Sequence, residues 1–353
     1  MSAWRHGPRN AITDVPGIRV GHYTDRRAAT GCTVILCAGA HAAAVDARGG
    51  APGTRETDVL GLANLVRTCH AVVFAGGSAF GLAAADGVMR WCAEHDIGVA
   101  TTKRKVPIVS AAVLYDLALG DPHAFPGPQE GYLAAVRARR GAVAEGSVGA
   151  GTGATVAKLL GPERAIKGGV GTASLVGPRG FVVGALAVTN AVGAVFDPAT
   201  GECVAGPRGE APGEFLSVPA ALERRTAAMD ALLQQPGAAP AVPAPPAPDG
   251  TLENTTLICV ATSARLEPHE LQRLAVHAHD GFARCVVPAH TRGDGDIAFA
   301  LSMGETPAAP DDLLLLGALA AAAVETAVLR SVQLARGLKG VPAAADWRPG
   351  AAG

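Results

Sequence analysis

The stretch from Pro236 to Gly250 limits how this chain can fold more than any other. It is built of proline and alanine with no hydrophobic period, and proline both locks φ and removes the amide donor that helices and ladders need. Such a segment inside a compact protein reads as a surface linker. It ends abruptly at Asn254-Thr255-Thr256-Leu257-Ile258-Cys259-Val260-Ala261-Thr262, a β-branched and apolar run that reads as a buried strand. The change of character begins near residue 206, so the expected linker region is 206–250. Within it, Ala220 to Gln235 carries the pattern of a short helix.

Elsewhere the chain alternates short β-like runs with glycine turns. Thr33 to Cys37, Ala71 to Ala75 and Phe181 to Thr189 read as strands, while Ala111 to Leu117 is strand or helix. Helices are expected over Leu82–His95, Glu267–Arg284 and Leu313–Ala335. The Leu313–Val328 part is apolar, but Gly317 and Glu325 interrupt it, so it reads as core and not as a membrane span. No internal repeat is present.

Composition narrows the class. Of 353 residues, 49% are hydrophobic and only 17% charged, which excludes a disordered chain. The net charge of −1, with lysine and arginine scattered, gives no footprint for nucleic acid. The seven cysteines include no CxxC pair and sit mostly in apolar runs, as expected of small buried hydrophobes in a reducing compartment. No signal-peptide pattern opens the chain, so a cytoplasmic enzyme is expected. No clustered set of ligands suggests a metal, and no cofactor motif is complete: Gly149-Ala150-Gly151-Thr152-Gly153 and Gly76-Gly77-Ser78-Ala79-Phe80-Gly81 lack the spacing and the acidic partner of a dinucleotide site. Ser78 does not sit in a nucleophile elbow either.

The chemistry points back to the linker's end. If the Thr255 hydroxyl attacks the carbonyl of Asn254, an ester forms whose hydrolysis leaves Thr255 with a free α-amine. An amine of pKa about 7.7–8.0 suits a general base, so one residue would supply nucleophile and base. Taken alone, Asn-Thr-Thr is equally a turn and a strand start.

Further motifs join it in order: Ile12-Thr13-Asp14-Val15-Pro16-Gly17, Asp46-Ala47-Arg48-Gly49-Gly50-Ala51-Pro52-Gly53-Thr54-Arg55-Glu56-Thr57, Gly76 to Leu82, Gly149 to Thr155, Lys158, Lys167 to Thr172, Ala278-His279-Asp280-Gly281 and His290-Thr291-Arg292-Gly293-Asp294-Gly295-Asp296. With Ala261-Thr262-Ser263-Ala264-Arg265-Leu266 they make the chain resemble the DmpA-type aminopeptidase/amidase family, which includes nylon-oligomer hydrolases and β-aminopeptidases. The Asn-Thr junction favours the nylon-oligomer branch.

The resemblance implies an α+β fold, a four-layer αββα sandwich whose precursor cuts itself between Asn254 and Thr255. Residues 1–254 would form a large subunit and 255–353 a small one, intertwined in one structural domain. It implies Thr255 as nucleophile, Asn190 as the amide that polarises the scissile carbonyl, and Lys158 as the active-site lysine, with Lys167 the rival assignment. It further implies Tyr115 as a pocket residue and Asp294 and Asp296 as the acidic pair beside the nucleophile. Asp-Gly-Asp is also plain turn chemistry, and Asn190, Lys158 and Tyr115 each have an ordinary structural reading. Arg292-Gly293 and Ser147 depart from the family's usual residues, which bears on pocket shape. The expected partners are a short peptide or oligoamide substrate and identical subunits in a homotetramer or larger ring, with no nucleic acid, membrane, cofactor or metal. An acyltransferase like the ornithine acetyltransferases and an uncleaved binding protein are the alternatives.

Overall fold

The structure, a computed structural model, describes residues 4–233 and 254–348. The strands that matter, in chain order, are β1 (Arg5–His6), β2 (Arg19–Asp25), β3 (Thr30–Leu36), β4 (Ala42–Ala47), β5 (Thr54–Arg55), β6 (Ala71–Ala75), β7 (Val109–Val113), β8 (Gly169–Val176), β9 (Val182–Asn190), β10 (Thr255–Thr262) and β11 (Ile297–Ser302). The main helices are α1 (Ala84–Glu94), α2 (Pro128–Arg137), α3 (Val218–Leu233), α4 (Pro268–Cys285) and α5 (Pro310–Gln333).

Two sheets form the middle of the molecule. One runs β2-β3-β6-β7-β5 and the other β1-β8-β9-β10-β11-β4. The alternation of side chains along a strand explains the layers. On β10, Leu257, Cys259 and Ala261 join β3 and β6 residues such as Ile35, Val72 and Phe74 in the core between the sheets. Ile258 and Val260 face the other way, into a core with Leu271, Leu274 and Phe282 of α4 and Leu316, Leu319 and Val324 of α5. The first sheet uses its outer face in the same way, with Val34, Val73 and Val113 against Val88 and Trp91 of α1 and Ala134 of α2. Helix, sheet, sheet, helix is the αββα sandwich expected.

Three of the helices begin by one device. Pro128, Pro268 and Pro310 occupy the first helical turn, where the missing N–H costs nothing. Glu130, Glu270 and Asp312 reach back to accept from the backbone N–H of Gly127, Glu267 and Ala309 at 2.8–2.9 Å. Helix α5 is long and apolar enough to cross a bilayer by composition. Its Leu316, Leu319, Ala320, Ala323, Val324, Ala327 and Val328 are instead buried in the outer core of the six-stranded sheet.

The Ala111–Leu117 ambiguity resolves as a strand that ends at Val113. The helix expected at Ala220–Gln235 spans Val218–Leu233, while Pro236 to Gly250 lies outside the described residues. Residues 206–217 are described, and they include a bridge between Arg208 and Phe215, so the expected linker region is structured up to α3.

Candidate active site

The site forms where three neighbouring strands of the larger sheet end together. Strand β9 runs antiparallel to β10, and its last residue, Asn190, lies opposite Thr255, the first of β10. Both share the side-chain parity of Leu186, Val188, Leu257 and Cys259, so the same alternation that fills the core brings them to the inter-sheet face. Strand β11 runs parallel to β10, with Leu257 opposite Ile297. Parallel pairing puts both strand entries at one end, which sets Asp294-Gly295-Asp296 beside Asn254-Thr255-Thr256.

The peptide between Asn254 and Thr255 is held at its carbonyl. The oxygen of Asn254 accepts from the backbone N–H of Gly295 at 2.9 Å and from the Thr255 hydroxyl at 2.5 Å. Asn254 and Thr255 are both buried. Only glycine fits between the two aspartates, because a Cβ there would stand 2.6 Å from Thr255 Oγ1 and 2.9 Å from the carbonyl of Ala51. The acidic turn can therefore approach the hydroxyl closely.

The two carboxyls differ in their partners. Asp296 accepts the Thr256 N–H at 2.7 Å on Oδ1 and, on Oδ2, both the backbone N–H and ring Nδ1 of His290. Asp294 accepts the Thr291 N–H at 2.7 Å on Oδ2, while Oδ1 is buried with no partner among the described residues. Burial, and then the Asp296 charge, pushes the Asp294 carboxyl up to about 6. Two acids this close are set apart by their surroundings, the arrangement in which one holds a proton more readily than the other.

Lys158 enters from the chain after Thr155–Val156, its backbone N–H fixed on the carbonyl of Val192 at 2.8 Å. Its Nζ donates to the backbone oxygen and to Oδ1 of Asn190, both at 3.1 Å. Asn190 Oδ1 also accepts the Thr155 N–H at 2.9 Å, and its Nδ2 donates to the carbonyl of Tyr115 at 3.1 Å. Lys158 thus grips the residue facing the nucleophile, and its charge is felt at Asp294. Tyr115 follows β7 of the other sheet and, with Lys158, Thr155, Leu119 and Glu163, lines a pocket of about 280 Å³. The structure brings Thr255, Asn190, Lys158, Tyr115, Asp294 and Asp296 to one end of the sandwich. Lys167, the rival lysine, is fully buried within the electrostatic reach of Asp116 and Lys158, and its Nζ donates to the carbonyl of Ala154. Burial brings its ammonium down to about 7, against the opposing pull of Asp116.

Four residues in and around the site carry little sequence signal. The Gly295 amide is a backbone group, visible only as the glycine of Asp-Gly-Asp. His290 and His279 are separated in sequence, yet their rings stand 4.8 Å apart. Asp116 looked like the neighbour of Tyr115. It is buried, accepts from the Thr30 hydroxyl at 2.8 Å and from the Gly77 N–H at 2.6 Å, and is pushed up to about 6 by burial. No group of three or more His, Cys, Asp or Glu side chains placed to hold a metal occurs among the described residues.

The comparisons with known proteins give the family and the fold. The model of peptidase family S58 matches residues 10–344. An uncharacterized aminopeptidase of Mycobacterium leprae is 43% identical over 98% of this chain and 96% of its own length. A 6-aminohexanoate-oligomer endohydrolase of Paenarthrobacter ureafaciens is 30% identical over 92% of this chain and 85% of its own. Among solved structures, the L-aminopeptidase D-Ala-esterase/amidase of Ochrobactrum anthropi superposes with a TM-score of 0.69 at 23% identity, covering 97% of this chain and 91% of that one. That structure is described as a variant of the Ntn hydrolase fold, and the likeness is one of fold.

Proposed function

The chain belongs to peptidase family S58 and is an amide-bond hydrolase, and from that premise we propose that it is a self-processing enzyme whose nucleophile is Thr255. The observation that carries the reading is the Asn254 carbonyl, which accepts from the Gly295 N–H while the Thr255 hydroxyl stands 2.5 Å from its oxygen. A donor already aimed at the oxygen on which charge develops lowers the barrier to attack there.

Thr255 Oγ1 bonds to the carbonyl carbon of Asn254 and gives up its proton, with the Asp294–Asp296 pair as the nearby acceptor. The C–N bond breaks, the nitrogen takes a proton, and an ester joins Asn254 to the threonine oxygen. Water hydrolyses the ester, leaving a carboxylate on Asn254 and a free amine on Thr255. In the cut enzyme that amine accepts the hydroxyl proton as Thr255 attacks a substrate amide, the substrate amine leaves, and water releases the acyl group. Asn190, opposite Thr255, supplies an amide donor for the oxyanion, and Lys158 holds Asn190 and offsets the acidic turn.

On this reading residues 1–254 and 255–353 become the large and small subunits of one intertwined domain. The substrates are short peptides or aminohexanoate-type oligomers, classes that the names of the relatives support. Assembly into a homotetramer or larger ring belongs to the same reading. The free cysteines, including Cys37 and Cys69 with sulfurs 3.5 Å apart, favour a reducing cytoplasm. Incubating the purified chain with a 6-aminohexanoate oligomer and with an aminoacyl p-nitroanilide, beside Thr255→Ala, tests the activity. Turnover of either by wild type alone is expected, and equal turnover by the variant would refute the assignment.

A further inference from the structure

Behind the acidic pair, Asp296 is held by groups with no part in the steps above. Asp296 is fully buried, and all three of its donors are N–H groups: Thr256 N at 2.7 Å, His290 N at 3.0 Å and His290 Nδ1 at 2.9 Å. Two of the three come from one residue. They reach the same oxygen because His290 adopts the left-handed backbone, φ 55°, which turns its N–H and its ring to one side. Such a φ disfavours most side chains and is accepted by asparagine and glycine.

Among the described residues the ring has no other polar hold. Nε2 of His290 is buried without a partner among the described residues. One side of the ring meets His279 edge-on at 4.8 Å, and another meets Phe282 at 5.3 Å. His279 is itself fixed. Its Nε2 stands 2.9 Å from the carbonyl of Asp46, which can only accept, so Nε2 carries the hydrogen and Nδ1 is bare. Burial takes His279 down to about 4, so it stays neutral at physiological pH and adds no charge beside His290. Among the described residues, the charged and titratable groups against the His290 ring are Asp296 on the turn and His279 on α4, and beside His279 stand Asp46 and Arg48, bound to each other at 2.7 Å.

We propose that His290 is a positioning residue for the reaction: clamped by His279 and Phe282, it holds the Asp296 carboxylate, and through it the Thr256 amide and the attacking hydroxyl of Thr255. The proposal rests on Thr255 being the nucleophile. Because Thr256 is the next residue along β10, any movement of Asp296 moves the strand entry. A donor lost beside the acidic turn also favours the protonated form of the pair, so the proton Asp294 holds up to about 6 should be kept to higher pH.

The experiment compares His290→Gly with His290→Asn. Both residues accept the left-handed backbone, but only asparagine places an N–H donor near the position of Nδ1. The readouts are the rate of Asn254–Thr255 cleavage against pH, followed by intact mass, and kcat and KM of the cut enzyme on an aminoacyl p-nitroanilide. In His290→Gly, cleavage and kcat should fall at least about tenfold and the acid limb should move up about one pH unit, the effect of one hydrogen bond to a charged group. KM should stay within about twofold, since the lost contact acts on the nucleophile and not on substrate binding. His290→Asn should restore rate and limb. A folded His290→Gly with the wild-type rate and pH profile, or an asparagine variant as impaired as the glycine one, would overturn the proposal.

Should His290→Gly fail to fold, wild type labelled with ¹⁵N-histidine decides the contact. A protonated Nδ1 with a downfield, slowly exchanging hydrogen is expected, and a bare or freely exchanging Nδ1 would contradict it. Wild type that never cuts at Asn254 would sink the nucleophile assignment, an outcome separate from these.

Discussion

Two buried acidic sites lie near each other in this protein, and they are built on opposite principles. Asp116 and Asp294 are both pushed up to about 6 by burial. Asp116 is then eased by what surrounds it: the Thr30 hydroxyl, the Gly77 amide and the Lys167 charge. Asp294 has the opposite treatment, since its close neighbour is a second acid, Asp296, and one of its oxygens has no partner among the described residues. Burial alone therefore does not mark chemistry. A buried acid with an opposite charge and satisfied oxygens serves as structure, whereas a like-charged pair beside a hydroxyl is poised to move a proton.

The largest effect expected from breaking this comparison is at the glycine between the two acids. Gly295→Ala places a methyl 2.6 Å from Thr255 Oγ1, so self-cleavage should fall at least about 100-fold, the scale of losing an oxyanion donor. Intact mass over time reads it, and circular dichroism confirms that the fold persists.

The two lysines sharpen the contrast next. Lys158→Met should slow cleavage by about 100-fold or more with little change in melting temperature, because it grips Asn190 and offsets the acidic turn. Lys167→Met should do the reverse. Leaving the Ala154 carbonyl and Asp116 without their partner costs about 1–3 kcal/mol of stability, with cleavage per folded molecule within about tenfold of wild type. Urea unfolding and mass spectrometry on the same samples separate the two. Equal profiles for both variants would break the comparison.

The smallest effect is in pH dependence. Folded Asp116 and Asp294 bind a proton up to about pH 6, and the unfolded groups only to about 3.8. The folded state therefore holds more protons between these values, and stability falls as pH rises from about 4 to about 6. Each group contributes at most about 3 kcal/mol to that fall. Urea midpoints measured across this window in Thr255→Ala, which cannot cut itself, should show the slope. Asp294→Asn should flatten part of it and leave the protein more stable near neutrality. A slope unchanged by Asp294→Asn would show that Asp294 is not buried as a strained acid.

Much of the molecule was legible in the sequence because single strands carry their own signal. Ala71–Ala75 and the Thr255–Thr262 run are continuous β-branched and apolar stretches, and they form strands with those bounds. Both late helices were expected to within a few residues of their bounds, and Pro268 and Pro310 fix the first turn. Sheet order was not legible. Nothing local tells β10 to lie between β9 and β11, antiparallel to one and parallel to the other. That pairing is what brings Asn190 and Asp294 to Thr255, so the candidate site residues were named through family motifs and not through spacing. His290 stayed hidden for another reason. Its contact with Asp296 depends on a left-handed φ, and no residue type announces that when the residue is neither glycine nor asparagine. The structural role of Asp116 was not legible because Thr30 and Gly77, its partners, are distant in the chain.

The central claim is that Thr255 cuts the peptide before it. Intact mass and N-terminal sequencing of the purified protein after prolonged incubation, beside Thr255→Ala, test it most directly. The account predicts fragments of residues 1–254 and 255–353 in wild type alone, with threonine at the new N-terminus. A wild-type chain that stays whole, or one cut at another bond, would contradict it.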